Sequence, residues 1–290
     1  MNKFPSLNIL LIIISLLLGC NSNNPQKTAL LNFREYLDQL PKSELFSISK
    51  ASKEYRKNFT AAAPEMKDSA FLDFRSFYYD VINSYYEIFY NNKGLLNELN
   101  ANNNNDPRVK ELKSTLDQNG LRISKTEGGY YIDESPVFLY SQFKNYVSRP
   151  VSEYLLIRRK ELEEGFSEDS KLLISYNSLG DRITTWEKYL NDYPTSPLSA
   201  EAKFSYHLYL NSFITGLDNS PVAVDNILLP EMKKVYSDFI RKNNNLESGK
   251  IVEKFYSIVS NNNFHLTSDL DDFYKDNQIE SMKEMELPTR

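Results

Sequence analysis

Residues 68–90 read DSAFLDFRSFYYDVINSYYEIFY, and their periodicity decides the fold class. Phe71, Phe74, Tyr78, Val81, Ile82, Tyr85 and Phe89 recur at steps of three and four, the spacing of one helix face. Phe77, Tyr86 and Tyr90 widen that face, leaving Asp73, Ser76, Asp80, Asn83 and Glu87 as a narrow polar stripe. So wide an apolar arc predicts a helix at the centre of a bundle. With only nine glycines in 290 residues and long periodic runs, the chain is expected to be mainly α.

Upstream, Leu30, Phe33, Tyr36, Leu37 and Leu40 predict a helix ending before Pro41. Ser43 is expected to cap a second one running to Phe59. Downstream, Asn91, Asn92 and Gly94 end the central helix. The asparagine run at 102–105 marks a boundary between an N-terminal helical segment, 27–101, and a C-terminal helical domain, 107–275. Asp106 and Pro107 predict the cap and first turn of a helix to Gln118, with Gly120 as its stop. LRISKT and YYID then flank Glu127, Gly128 and Gly129, predicting one small β-hairpin at 121–133.

Ser135 and Pro136 predict a helix through Val147, and Pro150 opens another ending near Gly165. Ser167, with Glu168 and Asp169, is expected to start the next. Leu179, Ile183, Trp186, Leu190 and Tyr193 form a helical seam closed by Pro194. Further helices are expected at 199–215, 230–242 and 249–260, followed by a charged tail at 276–290.

The N-terminus has a different character. Lys3 precedes a run of twelve residues from Leu7 to Leu18, interrupted only by Asn8 and Ser15. A comfortable membrane span needs about 20 apolar residues; a run this short suits a secretory signal. It ends in Leu17-Leu18-Gly19-Cys20, which resembles the lipobox of bacterial lipoprotein precursors. The resemblance implies cleavage after residue 19 and a diacylglycerol thioether on Cys20. Residues 20–26 would then be a tether, and the body would sit outside the cytoplasm, held by lipid to a bacterial membrane. Cys20 is the only cysteine, so no intramolecular disulfide supports the exported body.

FREYLDQLPKS at 33–43 and WEKYLNDYPTS at 186–196 superimpose without a gap, and YSDFIRK at 236–242 is a third, decayed copy. With Ala200 and Ala202 following, the middle copy resembles the helix-turn-helix of tetratricopeptide-like envelope lipoproteins. The resemblance covers roughly 180–261 and implies helix pairs in the C-terminal half. The copies starting at 186 and 236 lie 50 residues apart, where that family repeats at about 34.

Chemistry is sparse. Two histidines, one cysteine and no HExxH or CxxC pattern predict no metal centre and no cofactor. Asp269, Asp271, Asp272 and Glu280 imitate part of a calcium loop, but Phe273 and Tyr274 fall where a ligand and a glycine belong. Ser47 and Lys50 fit the S-x-x-K pattern of serine enzymes, in a body too helical for that fold. Glu161, Glu163 and Glu164 follow Arg158, Arg159 and Lys160, as on a solvated mixed-charge face. No dense basic block occurs and the net charge is −5, so nucleic acid is not an expected partner. What remains is aromatic: Tyr130, Tyr131, Trp186, Tyr189 and Tyr193 are the candidate binding residues. The expectation is a non-catalytic lipoprotein that binds an envelope protein or cell-wall component. The alternative is capture of a small molecule or glycan in an aromatic groove.

Overall fold

The computed structural model describes residues 25–126 and 128–280. The expected leader, Cys20 and most of the expected tether lie outside the described residues. Among those described, no helix is long and apolar enough to cross a membrane.

The fold is mainly α, with small two-stranded antiparallel pieces. Helices α1 (Pro25–Gln39), α2 (Phe46–Phe59) and α3 (Pro64–Asn91) pack on one another. Their periodic aromatic faces meet: Phe33, Tyr55, Phe59, Phe71, Phe74 and Tyr78 are all buried. The rings meet at steep angles, Phe33–Phe59 at 5.4 Å and 70°, Tyr55–Phe143 at 4.9 Å and 75°. Each such pair adds about 0.5–1.5 kcal/mol beyond burial. Val81 and Phe89 keep the second half of α3 on the core, while Tyr86 and Tyr90, on its outer face, stack on each other and stay exposed.

Phe143 reaches this cluster from beyond the asparagine run, and the Tyr55 hydroxyl donates to the Tyr146 carbonyl at 3.0 Å. Residues 102–105 are therefore a surface loop that separates no cores, because buried residues from Leu30 to Ile279 form one cluster. Arg75 of α3 forks onto Glu201, a residue of the later helix Ser199–Thr215, with Nη1 2.9 Å from Oε2. In the expected tail, Ile279 is packed inside the core.

After α3, Asn92 accepts from the Leu95 N–H and caps α4 (Lys93–Asn100), so the expected stop is also a start. Asp106 accepts from the Arg108 N–H and caps α5 (Pro107–Gln118). Strands β1 (Leu121–Thr126) and β2 (Gly129–Glu134) form the expected hairpin, with Ile123 opposite Ile132. The Ser135 N–H closes the hairpin's base on the Gly120 carbonyl. The next helix, α6 (Phe138–Phe143), therefore starts later than Ser135 and stops before Val147.

Helix α7 (Arg149–Glu164) ends at Gly165, φ +73°. Ser167 then enters a strand, not a helix: β3 (Ser167–Glu168) and β4 (Lys171–Leu172) join through Asp169 and Ser170, both at positive φ. The helix cap is Ser175, whose Oγ accepts the Ser178 N–H ahead of α8 (Tyr176–Asp192). Ser43 caps nothing either, since α2 begins at Phe46. Helix α9 (Ser199–Thr215) pairs with α8. A second short hairpin, β5 (Ala223–Val224) and β6 (Ile227–Leu228), leads to α10 (Pro230–Asn243) and α11 (Glu247–Asn261). Helix α12 (Asp271–Asn277) closes the described chain.

The α10–α11 pair packs on the α8–α9 pair. Gly180 permits this approach, because a Cβ there would sit 2.9 Å from the Phe239 ring. Ala202 is buried in the same layer, whereas Ala200 is exposed. Glu187 of α8 caps α11 from outside, accepting from the Glu247 N–H at 2.7 Å and the Ser248 N–H at 3.2 Å. A carboxylate there meets unpaired amides and the positive end of the helix.

Candidate functional site

Two recesses in the described residues have the size of ligand sites, which run to roughly 300–1,000 Å³. The first, about 430 Å³, lies where the β1–β2 hairpin, the end of α7, the β3–β4 turn and helices α8 and α9 meet. Its arginines are already engaged. Arg122 holds Asp133 at 3.0 Å, Arg158 holds Glu134 at 2.7 Å, and Arg182 holds Glu164 at 3.1 Å. Arg182 also donates to the Gly165 carbonyl at 2.6 Å and lies over the Tyr209 ring at 5.3 Å. Tyr79 gives Glu134 a second donor at 3.1 Å.

Glu161 lines this recess and is 8% exposed, so the solvated face expected for it is a correction. The Trp186 indole N–H donates to it at 2.7 Å. Burial lifts its pKa above the usual carboxylate range, against the pull of Arg182. Of its neighbours, Glu163 behaves as expected, pairing with Arg159 on the outer side of α7, whereas Glu164 lies between exposed Lys160 and buried Arg182. The contrast with Glu201 is instructive. Burial pushes Glu201 upward as well, but the hydrogen bonds and charge of Arg75, with Tyr154, hold it below its usual range.

The second recess, about 530 Å³, runs along α2 against Gln118, Phe138 and Gln142. Lys50, Lys53 and Arg56 recur every three residues on its α2 wall, and Phe46, 53% exposed, stands one turn earlier. Arg56 donates to Gln142 Oε1 at 2.6 Å. Ser47 is not part of this recess: it is buried, and its hydroxyl donates to the Pro41 carbonyl at 2.7 Å. That bond ties up the serine of the S-x-x-K pattern in the turn before α2.

The five aromatic candidates do not converge. Trp186 is fully buried and Tyr189 is 3% exposed, so neither offers a binding face, a correction that follows from the α7–α8 packing. Tyr189 spends its hydroxyl on Ser196 at 2.7 Å. Tyr193 is half-buried against Tyr189, and Tyr130 is held by the Leu99 carbonyl at 3.0 Å. Of the five, only Tyr131 lines either recess. Cys20 lies outside the described residues.

Among the described residues no cluster of His, Cys, Asp or Glu could hold a metal ion. Of the calcium-like acids, Asp269 falls on a 3-10 turn, Asp271 and Asp272 on α12 and Glu280 beyond it, and Asp269 accepts from Asn262 instead. His207 is half-buried in α9; burial, helped by Lys203, lowers its pKa. The sequence put Arg158 on the solvated face, a correction given its bond to buried Glu134, and it did not single out Arg182 or the α2 wall. The two arginines carry no local signal, but K-x-x-K-x-x-R behind an exposed Phe46 is a helical spacing that could have been read.

No known protein family, curated protein or solved structure matches this chain.

Proposed function

We propose that this is a lipid-anchored extracytoplasmic protein whose helical body is a non-catalytic scaffold for a partner in the bacterial envelope. The observation that carries the scaffold reading is the stacking of the α10–α11 pair on the α8–α9 pair, closed up at Gly180. Helix pairs stacked in this way resemble the tetratricopeptide arrangement, in which each unit buries its face only against the next. The anchor reading rests on Leu17-Leu18-Gly19-Cys20 and on the absence of any other cysteine. One acyl chain binds a membrane marginally, and two or three hold it firmly.

The test has two parts. Labelled fatty acid should enter the chain at Cys20, and Cys20→Ser should release the protein from membranes. Crosslinking in intact cells should then recover the same envelope partner repeatedly. A Cys20→Ser chain that stays fully membrane-bound would sink the anchor, and failure to recover any reproducible partner would sink the scaffold. The second reading, capture of a small molecule or glycan, is favoured by Tyr131, Tyr209 and Phe166 lining the hairpin recess. It predicts glycan binding that is lost in Tyr131→Ala.

A further inference from the structure

The recess along α2 differs from its surroundings in the placement of charge. Helix α2 makes an ion pair at Lys57–Glu54, 3.1 Å. Lys50, Lys53 and Arg56, one face over, make none among the described residues. Their recess contains a single carboxylate, Glu44, against three cations. The remaining groups are amides and hydroxyls, with Phe138 and Phe46 supplying apolar surface.

The geometry points to a binding site for a small organic anion, a carboxylate or phosphate ester carrying an apolar part. Three cations along one wall facing one carboxylate, in a chain of net charge −5, make a local positive field, whereas the hairpin recess sets Asp133, Glu161 and Glu168 among its four cations. The Arg56 fork is oriented by Gln142 through one nitrogen, leaving its other donors for an oxyanion. The rings of Phe46 and Phe138 would cover the apolar part, so inorganic phosphate alone would be a poor ligand. The inference goes beyond the scaffold reading and stands with or without the lipid anchor.

The test uses the full purified chain and four probes: phenyl phosphate, benzoate, inorganic phosphate and neutral benzyl alcohol. Calorimetric titration should show both aromatic anions binding at least tenfold more tightly than either inorganic phosphate or benzyl alcohol. The preference between phenyl phosphate and benzoate then tells a phosphate ester from a carboxylate. Lys50→Gln/Lys53→Gln should weaken the anions at least tenfold while the circular dichroism spectrum is unchanged. Lys171→Gln, on the β3–β4 turn, should leave them unaffected. Aromatic anions that bind no better than benzyl alcohol would overturn the site. So would binding that survives intact in the folded double variant, or that is weakened equally by Lys171→Gln.

Discussion

The hairpin recess and the α2 recess are both lined by cations and aromatic rings, yet they are opposite kinds of place. In the first, Arg122, Arg158 and Arg182 each meet a carboxylate from another element, and the guanidinium groups serve as struts. In the second, Lys50, Lys53 and Arg56 meet amides and solvent, and their charge is left over. Residue type does not separate structure from function here; the position of the carboxylates does. A paired buried arginine holds elements together, whereas an unpaired cation beside apolar surface is available to a ligand.

Gly120 is the hinge of the comparison, because it precedes β1 and faces Phe138 of the α2 recess. It sits at φ +76°, and a Cβ there would run into the Phe138 ring. Its carbonyl is also taken, by the Tyr78 hydroxyl at 2.7 Å. Gly120→Ala should therefore disturb both recesses and lower stability by about 3 kcal/mol, combining overpacking with left-handed backbone strain. Urea denaturation would show it, and a loss under about 1 kcal/mol would separate the two regions.

The next effect belongs to the hairpin recess alone. Arg158→Met strands Glu134, whose side chain is 7% exposed, and should cost about 2–3 kcal/mol. That is below the cost for a fully buried pair, since Arg158 itself is 32% exposed. Adding Glu134→Leu should recover most of the loss. A double variant no better than the single one would mean that the pair is not a strut.

Glu161 gives a smaller effect with a definite sign. Its folded pKa lies above the unfolded value of 4.5, so the folded chain holds the proton to higher pH. Its contribution to stability is thus complete below pH 4.5 and declines as pH rises through the folded value. Glu161→Gln should flatten that decline and be no less stable than the parent at pH 7. Thermal melts from pH 4 to 8 would decide, and a variant with the parent's slope would contradict the assignment. The smallest effect is expected in the α2 recess. Lys50→Gln/Lys53→Gln should change stability by less than about 0.5 kcal/mol, as surface changes usually do. A larger loss would mean that these lysines are struts after all.

Much of the architecture was legible because its signals are local. Asp106 and Pro107 start α5, Gly128 and Gly129 turn the first hairpin, and Pro194 follows α8, all within a few residues of the signal. The β3–β4 and β5–β6 turns were not legible, because Asp169, Ser170, Asp225 and Asn226 take positive φ without a glycine to announce it. Trp186 and Tyr189 proved buried for another reason: a helical stripe looks the same whether it is core or surface. Glu161 shows this most sharply. Its neighbours in the chain are Arg159, Lys160 and Glu163, but its neighbours in space are Trp186 and Arg182.

By itself, then, the sequence determined the mainly helical class, most of the longer helices and the first hairpin, since each is written in residues within a turn or two of one another. Only the tertiary structure decided which charges are paired and which rings are covered. Pairing and burial depend on residues that meet across elements, such as Arg75 with Glu201, and no local pattern records which helix will lie alongside.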